Sequence, residues 1–134
     1  MLITSDSVRE ISKGLENVDG AAFFEGVADE IDWAVMGTHP HAGHFRSKKA
    51  FREGTFAKLS QVLPHGAQLH VGDLIVRDDE AVVEFHSLAT AKNGMRFDNR
   101  YCWLVCSRAR LIVRVRAYLD SAMVVRLFEE NPIA

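Results

Sequence analysis

The chain has 134 residues, of which 48% are hydrophobic and 25% are charged. This composition excludes intrinsic disorder and predicts one globular domain that spans residues 1–134. Sixteen basic and 18 acidic side chains leave a net charge of −2, without the basic excess typical of nucleic-acid binding or of a polybasic membrane anchor. Because the sequence shows neither a signal-peptide pattern nor an apolar run of bilayer length, we expect a cytoplasmic protein without nucleic-acid or membrane partners.

The first third of the chain is predicted to be mainly helical. Apolar residues recur at helical spacing between residues 5 and 29, with Ser5 or Asp6 as the N-cap and a break at residues 17–20. A short strand is predicted at residues 31–36 and a loop at 37–44. Ser47 is predicted to cap a further helix, which ends before Gly66. The helical apolar positions are Val8, Ile11, Leu15, Val18, Ala22, Phe23 and Val27.

The second half is predicted to form strands. Four β-type runs occupy residues 68–76, 81–91, 96–106 and 111–119, and the Asn93-Gly94 pair is typical of a tight hairpin turn. A last helix is predicted at residues 121–130. Helices followed by antiparallel strands indicate an α+β fold, in which a strongly curved sheet packs around the N-terminal helices as a cone with an interior pocket.

Two strands carry titratable side chains among apolar residues. Strand alternation places Glu84 and His86 on one face, which is either the interior of the cone or an exposed surface. Strict alternation in the last strand sends Asp120 to the polar face with Arg116 and Tyr118. A β-bulge near Tyr118 would turn Asp120 inward instead.

The remaining histidines and the cysteines carry weaker signals. His39, His41 and His44 lie in one loop, but Gly43 stands where metal-binding H-x-H-x-D-H motifs have aspartate, so we expect no metal site. The loop is predicted to be solvated, except that His39 could turn inward. His65 and His70 are predicted to be solvated. Cys102 and Cys106 share one face of a strand and are predicted to be reduced.

Five segments in this order resemble one known family. They are WAVMG (33–37), GHFRSKKAF (43–51), AVVEFH (81–86), NRYCW (99–103) and VRAYLD (115–120). The chain is similar to the SnoaL-like, or ketosteroid-isomerase-like, branch of the nuclear-transport-factor-2-like (NTF2-like) superfamily. The resemblance implies a cystatin-like cone, a homodimer through the sheet, and a small-molecule pocket that works without metal or organic cofactor.

The resemblance also implies residue roles. The catalytic aspartate of related epoxide hydrolases and cyclases falls on Asp120. The Arg-x-Asp pair of the limonene-epoxide-hydrolase group falls on Glu84 and His86, which differ in type, so the resemblance does not imply the epoxide hydrolase mechanism. It favours an inward orientation for all three. We therefore predict Asp120 as general base, His86 as its proton-transfer partner, and Glu84 as the group that sets the imidazole's state. The predicted substrate-binding residues are His39, Trp33, Met36, Phe51, Phe56, Tyr101, Trp103 and Tyr118.

This site predicts isomerase, cyclase, dehydratase or hydrolase chemistry. The aromatic walls suit an apolar class of substrates that includes cyclic compounds. Two alternatives stay open. The cone could hold a ligand without transforming it, or it could be a structural dimerisation domain in which the polar side chains satisfy one another.

Overall fold

A computed structural model describes residues 3–16 and 20–133 of the chain. Helix α1 (Ser5–Ser12) continues into a 3₁₀ helix (Lys13–Glu16), and a short helix α2 (Ala21–Phe24) follows. The N-cap of α1 is Thr4 rather than Ser5 or Asp6, because the Ser7 amide donates to Thr4 Oγ1 at 3.0 Å. Val18 and most of the predicted break at residues 17–20 lie outside the described residues.

A six-stranded sheet forms the second layer of the fold. Its spatial order is β2-β1-β6-β5-β4-β3, with every neighbouring pair antiparallel except β1 and β6. The predicted α+β fold, with a curved and mainly antiparallel sheet, is confirmed. The strands are β1 (Val27–Val35), β2 (Gly43–Phe45), β3 (Gln68–Arg77), β4 (Glu80–Leu88), β5 (Arg100–Arg108) and β6 (Leu111–Leu119).

The region after β2 contains two helices where the sequence predicts one. Ser47 caps α3 (Lys48–Gly54) as predicted, since its Oγ accepts from the Ala50 amide at 3.0 Å. At Thr55 the backbone leaves helical geometry (φ −128°, ψ −79°), and α4 (Phe56–Val62) starts at the next residue. The last helix, α5 (Ser121–Glu130), has the predicted bounds.

Strand β1 begins four residues earlier than predicted, at Val27. The spacing of Val27 fits a helix, but its backbone pairs with Ile112 of β6, and this long-range pairing overrides the local pattern. The predicted loop at residues 37–44 also shortens, because Gly43–Phe45 pairs with the end of β1 as strand β2.

A β-bulge occurs in β6, but not near Tyr118. Cys106 pairs with Arg114 and the next residue of β5, Ser107, pairs with Ile112, so Val113 is the extra residue of the bulge. The register of β5 and β6 runs without a shift past Tyr118 to Leu119. The bulge that would have turned Asp120 inward is therefore absent from this part of the strand.

Two clusters of buried side chains form the core between the helices and the concave face of the sheet. The larger cluster is aromatic, and the Trp33 and Phe51 rings stack in it with centroids 3.8 Å apart. The second cluster contains Leu59, Phe97 and Leu127, and it lies under α4 and α5. No helix in the described ranges is both long and apolar enough to cross a membrane.

Candidate functional site

A cavity of about 50 Å³, which we call the inner cavity, lies where the two core clusters meet. Strands β1, β5 and β6 supply one side of its wall, and α3, α4 and α5 supply the other. Its lining residues are Trp33, Val35, His41, Phe51, Thr55, Phe56, Leu59, Ala67, Leu69, Phe97, Tyr101, Trp103, Ala117, Leu119 and Val124.

Three of the side chains that line this cavity have a buried ring nitrogen without a hydrogen-bond partner among the described residues. These nitrogens are Nε1 of Trp33, Nε1 of Trp103 and Nε2 of His41. A buried polar atom without a partner typically costs about 1–3 kcal/mol, and folded proteins contain few of them. An indole nitrogen can only donate, so two of the three require an acceptor atom such as a carbonyl oxygen.

His41 is oriented by its neighbour in the loop, His39. The Met36 carbonyl can only accept, so His39 Nε2, 3.1 Å away, carries the proton and donates to it. His39 Nδ1 is then free of a proton and accepts from the His41 amide at 3.1 Å. Burial lowers the pKa of His39, although the Met36 carbonyl acts in the opposite direction. A neutral His39 thus holds the backbone of His41 against the cavity.

The imidazole of His41 is buried and neutral. Burial, followed by the positive charge of Lys58 and by repulsion from His39 when that ring is protonated, lowers the pKa of His41 to about 4. The ring packs against Phe128 of α5, with centroids 4.7 Å apart. His41 therefore offers the cavity an uncharged nitrogen at neutral pH.

Tyr101 adds a hydroxyl group to the same wall. Burial raises the pKa of Tyr101 to about 12, and a hydrogen bond with Ser87 lowers it by a smaller amount. The phenol therefore stays protonated and can donate. The start of β5 that carries Tyr101 is held by Asn99, a fully buried side chain whose Oδ1 accepts from the Arg100 amide at 2.7 Å.

The predicted substrate-binding residues divide into two groups. Trp33, Phe51, Phe56, Tyr101 and Trp103 line the inner cavity. The other three do not line it. His39 is buried behind His41, whereas Met36 and Tyr118 are 38% and 42% exposed.

The predicted catalytic residues lie away from the inner cavity. Glu84 is exposed and His86 is half-buried, because Val83, Phe85 and Ser87 are the residues of β4 that point into the core. Asp120 is exposed and caps α5, where its Oδ1 accepts from the Met123 amide at 3.3 Å. The expected inward orientation of Glu84, His86 and Asp120 is therefore wrong. A catalytic role for them stays a prediction, and it would require a site on the outside of the cone.

The outer face of the sheet has its own arrangement of polar groups. His70 stacks on His86 with centroids 5.5 Å apart, and its Nδ1 lies 3.6 Å from a carboxylate oxygen of Glu16, so His70 is not merely solvated. Burial, and secondarily the charge of Glu84, raises the pKa of the Cys102 thiol. Both cysteines are free thiols. In the described ranges, no three His, Cys, Asp or Glu side chains are grouped as a metal site would need.

Sequence reasoning missed His41 and Thr55. His41 was expected to be solvated, but it is buried at the cavity, while His44 hydrogen bonds with Asp32 at the surface. Thr55 is buried where α3 ends, and its hydroxyl donates to the Phe51 carbonyl at 2.7 Å. The one local signal for His41 is its position two residues after His39, which lets the His39 ring accept from its amide.

One relative among characterised proteins matches the sequence. The dimerizing cyclase phiC of a fungal species is 25% identical over 133 residues, which cover 94% of this chain. The chain spans only 57% of the length of that cyclase. No protein-family model matches the chain.

Several solved structures have the same fold as this chain. An NTF2-like protein of Burkholderia thailandensis is 23% identical, with a TM-score of 0.70 over 81% of this chain and 83% of that one. A protein of Catenulispora acidiphila with a ketosteroid isomerase-like fold, in complex with trimethylamine, has a TM-score of 0.72 at 12% identity, covering 93% of each chain. TerC, co-crystallised with polyporic acid, has a TM-score of 0.74 at 19% identity over 92% of this chain and 96% of TerC.

Proposed function

We propose that this chain, which has the fold of the NTF2-like superfamily, binds an apolar, ring-containing small molecule in the inner cavity and performs acid–base chemistry on it, such as isomerisation or cyclisation. The observation that carries the proposal is the set of unpartnered buried nitrogens of Trp33, Trp103 and His41. Oxygen atoms of a substrate would accept from the two indole nitrogens, and a substrate hydroxyl or carbonyl would pair with the imidazole nitrogen. The similarity to phiC, a cyclase, supports the same reaction class.

The polar groups of the cavity suit the stabilisation of a developing oxyanion. The Tyr101 hydroxyl and the two indole N–H groups are neutral donors in a buried site, where hydrogen bonds to a forming negative charge are strongest. Neutral His41 is the group that can exchange a proton with the substrate. Because its pKa is about 4, it is a weak base at neutral pH, and we assign it the transfer of a proton to or from the substrate oxygen.

The size of the inner cavity limits which part of the substrate it encloses. About 50 Å³ is space for a carbonyl group or a few water molecules. The ring system of a substrate must therefore displace side chains of the wall. Phe56 is the natural one to move, because it is half-buried and stands directly after the break at Thr55.

The second candidate function is that the inner cavity binds a ligand without catalysing a reaction. Among the described residues, no aspartate or glutamate lines the inner cavity, so the carboxylate base that many proton-transfer enzymes use is missing from it. A ligand that binds there and is recovered unchanged would favour this second function.

The test uses polyporic acid, with which TerC was co-crystallised, together with simple cyclic enones as probes in calorimetric titrations. Tyr101→Phe removes one hydroxyl and keeps the ring, so affinity for the probes should fall about tenfold, and His41→Gln should act in the same direction. Tyr118→Phe is the matched control, because the Tyr118 side chain is exposed on the outside of the sheet.

Unchanged affinity in both cavity variants would contradict the proposed site. Failure of every ring compound to bind would contradict the proposed substrate class. Product analysis of the same mixtures by mass spectrometry separates catalysis from holding.

We also propose that two copies of the chain associate through the outer face of the sheet. A groove of about 230 Å³ on this face combines apolar side chains, Val82 and Leu104, with Arg114 and Arg116. Ile75, at its edge, is 70% exposed. An apolar strip that carries several arginines is typical of the centre of a protein interface.

The charges on the outer face indicate how the copies meet. Glu80 on β4 and Arg114 on β6 lie in one row across the sheet, on either side of Cys106 on β5. In the proposed dimer, the two-fold axis lies in the interface and runs parallel to β5. This symmetry places Glu80 of one protomer opposite Arg114 of its partner, and Arg114 of the first protomer opposite Glu80 of the partner. Glu80 and Arg114 are then each paired with the opposite sign, whereas Arg116 lies in the next row and faces Val82.

Charge reversal tests this arrangement by sedimentation velocity. Glu80→Arg and Arg114→Glu should each shift the protein towards monomer, because each places like charges opposite one another, and the double variant should restore the dimer. Lys58→Glu, a reversal on α4 away from this face, is the control. A wild-type protein that stays monomeric, or a double variant no better than the singles, would contradict the arrangement.

A further inference from the structure

A second, larger cavity lies at the opposite end of the core, between α1 and the concave face of the sheet. Its volume is about 450 Å³, within the range of about 300–1,000 Å³ typical of small-molecule sites. We call it the N-terminal cavity. It differs from the inner cavity in all of its lining residues except Trp103.

The N-terminal cavity has an apolar interior and a polar rim. Val8 and Ile11 of α1 form one wall, and Val83 and Phe85 of β4 form the facing wall. Arg110 and three hydroxyl-bearing residues, Thr4, Ser7 and Ser107, also line the cavity, and these four are exposed or half-buried. No aspartate or glutamate is among the described side chains that line this cavity.

Arg110 lies in a tight hairpin turn next to this cavity. Ala109 and Arg110 connect β5 to β6 with positive φ angles of 52° and 68°, which a two-residue hairpin of this type requires and which Asn-Gly normally supplies. A side chain other than glycine or asparagine at such a position costs stability. The sequence therefore keeps an arginine where glycine would fit the backbone better.

The guanidinium of Arg110 forms no ion pair or hydrogen bond with the described residues. Two aspartates, Asp78 and Asp79, lie near this cavity. Their backbone carbonyls accept from the amides of Ile3 and Ser107, which line it. These contacts involve the backbone, and neither carboxylate pairs with Arg110. The guanidinium remains available to a ligand.

We propose that the N-terminal cavity binds a single-chain amphiphile, with its hydrocarbon part between α1 and β4 and its carboxylate on Arg110. The apolar walls account for the hydrocarbon part. The unpaired guanidinium at the rim accounts for the anionic end, because arginine binds carboxylates in a bidentate geometry. This site is separate from the one proposed for ring-containing substrates.

The test titrates dodecanoate, and dodecanol as its uncharged counterpart, into the full chain by calorimetry below their aggregation concentrations. Arg110→Gly removes the guanidinium and suits the positive φ, so the variant should fold at least as stably as the wild type. We expect it to bind dodecanoate at least tenfold more weakly and dodecanol with unchanged affinity. Arg110→Lys should retain most of the affinity for dodecanoate.

Two further variants locate the binding site. Ser107→Trp places a large ring at the rim of the N-terminal cavity and should block both probes, whereas Tyr101→Phe in the inner cavity should change neither. Absence of dodecanoate binding to the wild type, or equal affinity of the wild type and Arg110→Gly, would overturn the proposal. Loss of binding in Tyr101→Phe would place the amphiphile in the inner cavity and would also overturn it.

Discussion

Replacing Asn99 with alanine should lower the free energy of unfolding by about 3 kcal/mol. The side chain is fully buried and makes three hydrogen bonds to backbone groups. Its Oδ1 accepts from the amides of Arg100 (2.7 Å) and Asp120 (3.1 Å), and its Nδ2 donates to the Asp120 carbonyl at 3.3 Å. Alanine would remove the side-chain partner of the Arg100 amide and the Asp120 carbonyl and would open a cavity in the core, whereas the Asp120 amide keeps the Arg100 carbonyl as an acceptor at 3.2 Å.

The consequence extends to the inner cavity. Asn99 joins the start of β5 to the end of β6, and its own amide donates to Ser87 Oγ at 2.8 Å. Tyr101 stands two residues later and contacts the same Ser87. Asn99→Ala should therefore weaken ligand binding at Tyr101 as well as stability.

Urea denaturation at neutral pH measures the effect. Asp98→Ala is the matched control, because the Asp98 carboxylate pairs with Arg96 near the surface, where an ion pair contributes about 0–1 kcal/mol. If Asn99→Ala were as stable as Asp98→Ala, the hydrogen bonds of Asn99 would not stabilise the junction between the start of β5 and the end of β6.

Much of the secondary structure is predictable because local pattern and tertiary fold agree. In α5, capping and helical periodicity identify the helix without knowledge of its partners. At Asn93-Gly94 the turn chemistry is also local, since Gly94 adopts a φ of 89°. Predictions fail where a distant partner decides, as at Val27, whose pairing with Ile112 makes it a strand residue.

The orientation of β4 could not be predicted from alternation alone. Alternation correctly groups Glu84 with His86, but both faces of the strand carry apolar residues, so the pattern does not say which face is buried. The packing of Phe85 on Trp103, with ring centroids 4.7 Å apart, decides it. That contact depends on the register between two strands, which no single strand encodes.

The aromatic part of the candidate site was accessible from the sequence, and the polar part was not. Trp33, Phe51 and Trp103 are large apolar residues, and their burial follows from hydrophobicity. His41 is polar, and its burial depends on the His39 ring, on the loop between β1 and β2, and on Phe128 near the other end of the chain. Contacts between residues so far apart in the chain leave no periodic pattern in the sequence.

The buried His41 should make the protein lose stability from about pH 6.5 downwards, which begins above the range in which carboxylates titrate. The pKa of His41 is about 4 in the folded chain and about 6.5 when unfolded. Between these values the unfolded state binds the extra proton, so the free energy of unfolding falls as the pH decreases from about 6.5 to about 4. The loss reaches at most about 3 kcal/mol and levels off below pH 4.

Denaturation curves collected from pH 7.5 to 4 test this expectation. His41→Gln cannot take up the proton, so its stability should decrease much less over this range than that of the wild type. The pKa of His39 is also lowered by burial. The stability of the variant therefore still depends on pH, but less strongly than that of the wild type. His65→Gln is the control, because the His65 side chain is exposed, and its curve should follow the wild type. Equal pH dependence in His41→Gln and the wild type would mean that the His41 ring is not held neutral in the folded chain, and the assignment of His41 as the uncharged proton-transfer group of the inner cavity would then fail with it.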